Sequence, residues 1–226
     1  MRHQAHDLLW LADAAPLSVR GGEGEGEGEG DALPNWATSA WLAAAPVVVR
    51  RDWAADAGQV PIGLRGTARH ERCAAWVPAA HVRHALTPEA VLRRWWLEGS
   101  TRRCDRACLQ TLEALTSAWH QLPLAWGVTG SVGFSLASGI DVLRDGSDLD
   151  LLLRAPSPAD AQVLRHLAPT LQASHPTRID VQVQTPLGAF ALLEWLRTGG
   201  PVLLKTDHGP VLCDDAWHPS TGQSPA

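Results

Sequence analysis

Gly130-Ser131 … Ser147-Asp148-Leu149-Asp150-Leu151 is the stretch on which the reading of this chain turns. A tight Gly-Ser turn is followed, one short helix later, by two carboxylates that alternate with leucines on a strand. The two-residue period of a strand puts Asp148 and Asp150 on one face and Leu149 and Leu151 on the other. Two like charges pointing the same way out of an apolar segment repel unless a cation lies between them. A divalent cation answers that need, and backbone N–H groups at a helix start can hold the phosphates it bridges. Alone, the Gly-Ser dipeptide means only a surface turn; the Asp-x-Asp strand behind it gives it weight.

Around this stretch, strands and helices alternate. Leu124 to Val128 reads as a strand running into the turn, Val132 to Ala137 as the short helix leaving it, and Asp148 to Arg154 as the carboxylate strand. Ser157-Pro158 opens a helix to about Gln172. Residues 178–184 (Arg-Ile-Asp-Val-Gln-Val-Gln) alternate polar and apolar, which is a strand pattern. Thr185-Pro186 precedes a helix to about Arg197, and Val202 to Leu204 and Val211 to Cys213 are closing strands. Upstream, Thr87-Pro88-Glu89 combines a capping hydroxyl, a first-turn proline and a first-turn acid, so a helix starts there and should stop at Gly99. Cys108, Leu112, Leu115 and Trp119 recur at helical spacing in a second helix, from about 105 to 121. Residues 85–226 therefore read as an α/β or α+β sheet domain.

Residues 1–84 read as a smaller, mostly β domain. Pro46 to Arg51, Val60 to Arg65 and Arg72 to Val77 have strand composition, whereas His6 to Trp10 is a helix start or an edge strand. The Glu-Gly run at 21–31 cannot bury surface and is expected to be a mobile loop. It carries four Glu and one Asp without a Lys or Arg, and it accounts for the whole net charge of −5. The remainder is balanced, so bulk electrostatics makes no case for nucleic acid as a partner.

No segment has the length of a membrane span, and Met1 to Asp7 lacks the apolar core of a secretory signal, which points to the cytoplasm. The four cysteines lack disulfide-framework or CxxC spacing. Cys104 and Cys108 could face one metal, but no nearby ligand completes a tetrahedral set, and a thiol pair is the better reading. Eleven Trp without a Tyr read as packing residues, and the scattered histidines as surface or packing groups. The P-loop, the His-Glu-x-x-His metalloprotease pattern and the nucleophile elbow are absent.

Asp180 shares a strand face with Gln182 and Gln184. If that strand lies beside the Asp148 strand, Asp148, Asp150 and Asp180 can hold two Mg²⁺ ions, with Mn²⁺ possible, for in-line displacement at phosphorus. Mg²⁺ takes few carboxylates and fills its shell with substrate phosphates, so weak affinity without substrate is expected. Gly130 lets backbone approach a phosphate and Ser131 can donate a hydroxyl. Arg50, Arg51, Arg65, Arg69 and Arg72 concentrate cations in the N-terminal domain, where Arg65, between Gly63 and Gly66, is the best phosphate clamp; Lys205 lies further along.

The composite Gly-Ser … Asp148-Leu149-Asp150-Leu151 … Ile179-Asp180-Val181 resembles the nucleotidyltransferase superfamily with a polymerase-β-like fold. Asp7-Leu8-Leu9-Trp10, Val60-Pro61-Ile62-Gly63-Leu64-Arg65-Gly66, Trp126 to Phe134 and Thr185-Pro186-Leu187-Gly188-Ala189-Phe190 carry the likeness further. Together they resemble the malonate decarboxylase holo-acyl-carrier-protein synthases, or phosphoribosyl-dephospho-CoA transferases, almost end to end, with 21–31 as an insertion. The resemblance implies a donor, 2′-(5″-triphosphoribosyl)-3′-dephospho-CoA, and an acceptor, a serine on the apo acyl-carrier subunit of malonate decarboxylase, with release of diphosphate. It implies catalytic roles for Asp148 and Asp150; Asp180 is assigned the third place by inference. Two other readings stand beside it. One is a nucleotidyltransferase acting on a small-molecule or RNA hydroxyl. The other is a non-catalytic nucleotide- or carrier-binding module, which would gain nothing from clustered, repelling acids.

Overall fold

The computed structural model describes residues 3–12, 15–19, 32–53, 56, 58–98 and 105–218. The Glu-Gly run, the expected helix stop at Gly99 and the Cys104 of the thiol pair lie outside them. The architecture is mixed α/β with two six-stranded sheets.

The first sheet is built from β1 (Leu8–Leu11), β2 (Ser18–Val19), β3 (Val47–Val49), β4 (Gln59–Arg65), β5 (Arg72–Pro78) and β6 (Val82–Leu86), in the order β2-β5-β4-β3-β1-β6. All its pairings are antiparallel. A short helix, α1 (Ser39–Ala44), precedes β3. His6 to Trp10 is neither a helix start nor an edge strand: β1 lies between β3 and β6. The reason is that both of its faces are apolar. Leu9 and Leu11 enter a core with Val47, Val49, Ile62 and Leu64, while Leu8 enters the larger core of the C-terminal half. A strand buried on both faces belongs inside a sheet.

The C-terminal half begins with α2 (Pro88–Leu97), where Thr87 Oγ1 accepts from the Ala90 amide at 3.2 Å, the expected cap. In α3 (Ala107–Ala118) the periodic residues Cys108, Leu112 and Leu115 are buried, as is Trp119 just beyond it. The second sheet follows in the order β12-β11-β10-β9-β8-β7. Its strands are β7 (Trp126–Val128), β8 (Leu149–Arg154), β9 (Ile179–Gln184), β10 (Ala189–Ala191), β11 (Val202–Thr206) and β12 (Gly209–Cys213). The helix α4 (Gly130–Ser138) joins β7 to β8 and ends on Gly139, whose φ of 75° is the left-handed stop that glycine allows. Only β8 and β9 pair in parallel among the described strands, and helices make the crossover between them.

Two expectations in this half are corrected. The helix expected from Ser157-Pro158 to Gln172 is two helices, α5 (Asp160–His166) and α6 (Ala168–Gln172). Pro169 has no N–H for the Arg165 carbonyl, so a continuous helix is interrupted there. Thr185-Pro186 does not lead straight into a helix either. The Thr185 amide bonds to the Gly188 carbonyl at 2.8 Å, and the chain turns back as β10 against β9 before α7 (Leu192–Thr198). Gly188 sits so close to the neighbouring strand that a Cβ there would lie 2.6 Å from the Lys205 carbonyl oxygen. No helix among the described residues is long and apolar enough to cross a membrane.

Candidate functional site

The parallel pairing of β8 with β9 decides the site. Its register sets Asp150 opposite Asp180, so both carboxylates leave the same face of the sheet side by side. Asp148 lies one residue before β8, on the approach to the pair. The charge conflict inferred from the spacing is present. Asp150 is pushed up to about 6, first by burial, then by the charges of Asp180 and Asp148, and Arg65 and Arg72 offset only part of this. Among the described residues no group of three or more His, Cys, Asp or Glu is gathered closely enough to hold a metal ion. The donor set nevertheless suits a hard divalent cation. Its ligands are carboxylate oxygens few in number and short of positive charge, and substrate phosphates would supply the remaining ligands.

The Gly-Ser turn is laid against this pair. The Thr129 amide donates to the Asp150 carbonyl at 2.9 Å, tying the start of α4 to β8. Gly130 has φ of 60°, and a Cβ on it would stand 2.6 Å from Asp150 Cγ. Backbone and carboxylate can approach this closely only without a side chain. Val128 and Gly133 also meet closely: a Cβ at Gly133 would lie 2.7 Å from the Val128 carbonyl oxygen.

Arg65 reaches this turn from the last residue of β4. Its Nη2 donates to Ser131 Oγ at 2.9 Å, and its guanidinium carbon lies 5.4 Å from the Phe134 ring centre. Arg65 is only 7% exposed, and its Nε is buried without a hydrogen-bond partner among the described residues. Burial, then Arg72 and Arg144, lower its pKa to about 10, against an opposing pull from Asp150. Since Asp150 keeps a raised pKa beside it, the arginine is not a full counter-ion to the acids. An unused buried donor and an incompletely matched cation are what an incoming phosphate would satisfy. A cleft of about 400 Å³ opens here between the two sheets, lined by Arg50, Arg65, Arg72, Thr129, Gly130 and Phe134 among others.

The fold therefore brings Asp150, Asp180, Gly130, Ser131 and Arg65 to one place, with Asp148 at its margin. Residues 96–216 match the family described as the phosphoribosyl-dephospho-CoA transferase MdcG C-terminal domain, and residues 4–88 match its N-terminal domain. The chain belongs to the phosphoribosyl-dephospho-CoA transferase family. A phosphoribosyl-dephospho-CoA transferase of Klebsiella pneumoniae is 45% identical over 94% of this chain and 95% of its own length. Relatives of the same name from Pseudomonas syringae and Azotobacter vinelandii are 43% and 39% identical, over 94% and 95% of this chain and 92% and 94% of their own. No solved structure matches the chain.

Several residues around the site of this phosphoribosyl-dephospho-CoA transferase family member escaped the sequence reading. Phe134, whose ring lies under Arg65, belonged to the Trp126 to Phe134 stretch of the likeness but was given no role of its own. Arg144, whose charge reaches Arg65, lies in the segment between α4 and β8 that carries no periodicity. His6 was read as a surface or packing group. Its side chain is hydrogen-bonded to Gln182 and held down to about 4, first by burial and then by Arg51, with Arg154 and Lys205 adding to it.

Arg65→Met should raise the KM for a phosphate-bearing donor on the order of 10- to 100-fold, since a hydrogen bond to a charged group contributes about 1.5–3 kcal/mol. Arg65→Lys, which keeps the charge without the planar fork, should recover only part of this. Steady-state kinetics against donor concentration check both. An unchanged KM in the methionine variant would remove Arg65 from phosphate binding.

Proposed function

We propose that this chain transfers the phosphoribosyl-dephospho-CoA group from 2′-(5″-triphosphoribosyl)-3′-dephospho-CoA to a serine of the apo acyl-carrier subunit of malonate decarboxylase, releasing diphosphate. Family membership supports the transferase class. The observation that carries the phosphoryl chemistry is the in-register pair Asp150 and Asp180 beside a glycine turn whose Ser131 is gripped by Arg65. We assign the C-terminal half to the polymerase-β-like nucleotidyltransferases on the same arrangement. The free thiols of Cys73 and Cys213 suit a reducing, cytoplasmic setting.

In this reading the donor's triphosphate lies against the start of α4. Gly130 admits it, and Ser131 with the Arg65 fork orients its oxygens. The serine Oγ of the carrier attacks the α-phosphorus, the bond from that phosphorus to the bridging oxygen of the β-phosphate breaks, and diphosphate leaves. Asp180 polarises the attacking hydroxyl and accepts its proton. Asp148, Asp150 and Asp180 would hold Mg²⁺, two ions in the full arrangement and Mn²⁺ as a substitute, which would neutralise phosphate charge and acidify the hydroxyl.

The test incubates the chain with the triphosphoribosyl donor, the apo carrier subunit and Mg²⁺, and reads the intact mass of the carrier. We expect one phosphoribosyl-dephospho-CoA addition per carrier, with stoichiometric diphosphate, abolished by EDTA and restored by Mg²⁺ or Mn²⁺. A carrier left unmodified, or one modified from ATP instead, would overturn the assignment.

A further inference from the structure

The face of the second sheet that bears the acid pair continues in register away from it. Opposite Leu152 stands Gln182, and opposite Arg154 stands Gln184. Asp150 and Arg154 are four residue steps apart on β8, about 13 Å at the rise of a β-strand. At this far end Arg51, from the segment after β3, donates to Gln184 Oε1 at 2.5 Å and lies 4.0 Å from Asp207. Arg154 is held by Glu89 at 2.7 Å and by Gln4 at 2.6 Å. Both guanidiniums are thus fixed in place and mostly covered, rather than waving in solvent.

They border a groove of about 1,020 Å³ between the two halves, more than twice the volume of the cleft beside Gly130. Arg50 lines both. Trp53, on the same wall, is 56% exposed, with its ring centre 5.6 Å from that of His208. His6, in the wall of the smaller cleft, is held down first by burial and then by Arg51, with Arg154 and Lys205 adding to it. Acids are present too: Asp52 and Asp207 line the groove.

We infer that this groove holds the dephospho-CoA end of the donor, with Arg51 and Arg154 on its diphosphate and Trp53 as a stacking surface for its adenine. The inference rests on the reading under Proposed function. That donor carries two phosphate groups of different kinds, a triphosphate and a diphosphate, with two ribose rings between them. The fold presents two cation-bearing sites of corresponding order on one track: Arg65 with the acid pair at one end, Arg51 with Arg154 at the other. An arginine fork takes two phosphate oxygens at once, and an exposed tryptophan offers a flat face to a base. The smaller cleft alone has too little room for a nucleotide with a pantetheine arm.

The experiment uses the full chain and commercial dephospho-CoA, which lacks the triphosphoribosyl group, in titration calorimetry without divalent metal. Wild type should bind it, and Arg51→Gln and Trp53→Ala should each weaken binding at least tenfold. Inorganic triphosphate, read by displacement or inhibition, should be affected less than twofold by either substitution. In the transfer assay both variants should raise the donor KM about tenfold with kcat kept within twofold. Thermal melts establish that each variant is folded; Trp53→Ala, at an exposed position, keeps the test open should Arg51→Gln misfold. Failure of wild type to bind dephospho-CoA, or equal binding by wild type and both variants, would overturn the groove assignment. A wild-type chain that binds dephospho-CoA in the groove yet transfers nothing to the carrier would instead overturn the transfer reading.

Discussion

Asp150→Asn should lower kcat/KM for transfer by about 10³-fold or more while making the metal-free protein harder to unfold. The first half follows from the loss of a carboxylate that would hold the cation, which contributes several kcal/mol to stabilising charge at phosphorus. The second half follows from the charge conflict. Asp150 rises from 3.8 to about 6 in the folded chain. Its folded-state pKa is above its unfolded value, so the ionised form is disfavoured by folding. The contribution of Asp150 to stability is therefore intact below about pH 4 and is lost as pH rises through about 6, with the penalty complete above that. At 1.36 kcal/mol per pH unit the penalty is about 3 kcal/mol, an upper figure for what a neutral amide would relieve. For a chain of this size that is a rise in Tm of several degrees.

Melts in EDTA at pH 7.5 and pH 4.5 check the sign: the advantage of the asparagine variant should be large at the first and small at the second. Adding Mg²⁺ should stabilise wild type and leave the variant unchanged. A variant that melts lower than wild type at pH 7.5, or one that still transfers at the wild-type rate, would contradict the account. The site is then a place where stability is given up for function, as is common for active sites.

Gly130→Ala is the second large effect, and the chain contains its own control. Gly130 and Gly139 stand at the two ends of α4 with φ of 60° and 75°. An alanine at either suffers the same left-handed strain, about 1–2 kcal/mol. A Cβ at Gly139 meets nothing within 4 Å, whereas one at Gly130 meets the Asp150 carboxylate. Gly139→Ala should therefore lose a few degrees in Tm and little activity. Gly130→Ala should lose activity by at least 10²-fold, because Asp150 must move out of register with Asp180 and a displacement of about 1 Å in a reacting group has that cost. Side-by-side melts and transfer rates decide the matter. Equal losses in the two variants would mean that backbone strain alone acts at Gly130.

Much of this was legible because local chemistry and tertiary placement agree along most of the chain. The capped start of α2, the buried stripe of α3 and the alternation on β9 all come from patterns shorter than one element. The errors have equally local causes. Pro169 divides a helix whose apolar pattern runs through it. Thr185-Pro186 resembles a helix start, yet Gly188 can approach the Lys205 carbonyl and the chain forms a hairpin instead. His6 to Trp10 carries too few residues for its two-faced burial to declare an interior strand.

The site divides in the same way. Asp148 and Asp150 follow from strand periodicity, and Arg65 stood out by its flanking glycines. The facing of Asp150 and Asp180, and the grip of Arg65 on Ser131, are 30 and 66 residues apart in sequence. No window of local pattern reports contacts of that span. Arg154 and Arg51 were missed or left unplaced for the same reason, since only the register of β8 on β9 puts Arg154 on the acid face and only a contact 133 residues apart brings Arg51 to Gln184.

That parallel register also orders events in time. An antiparallel hairpin can zip from its turn, but β8 and β9 meet only after the intervening crossover has folded back and closed a long loop. Such non-local pairings are slow to form. The acid pair is therefore assembled late, and a nascent or partly unfolded chain has helices before Asp150 faces Asp180. During refolding from urea, recovery of transfer activity should lag behind the helical circular-dichroism signal; simultaneous recovery would show that the crossover closes early.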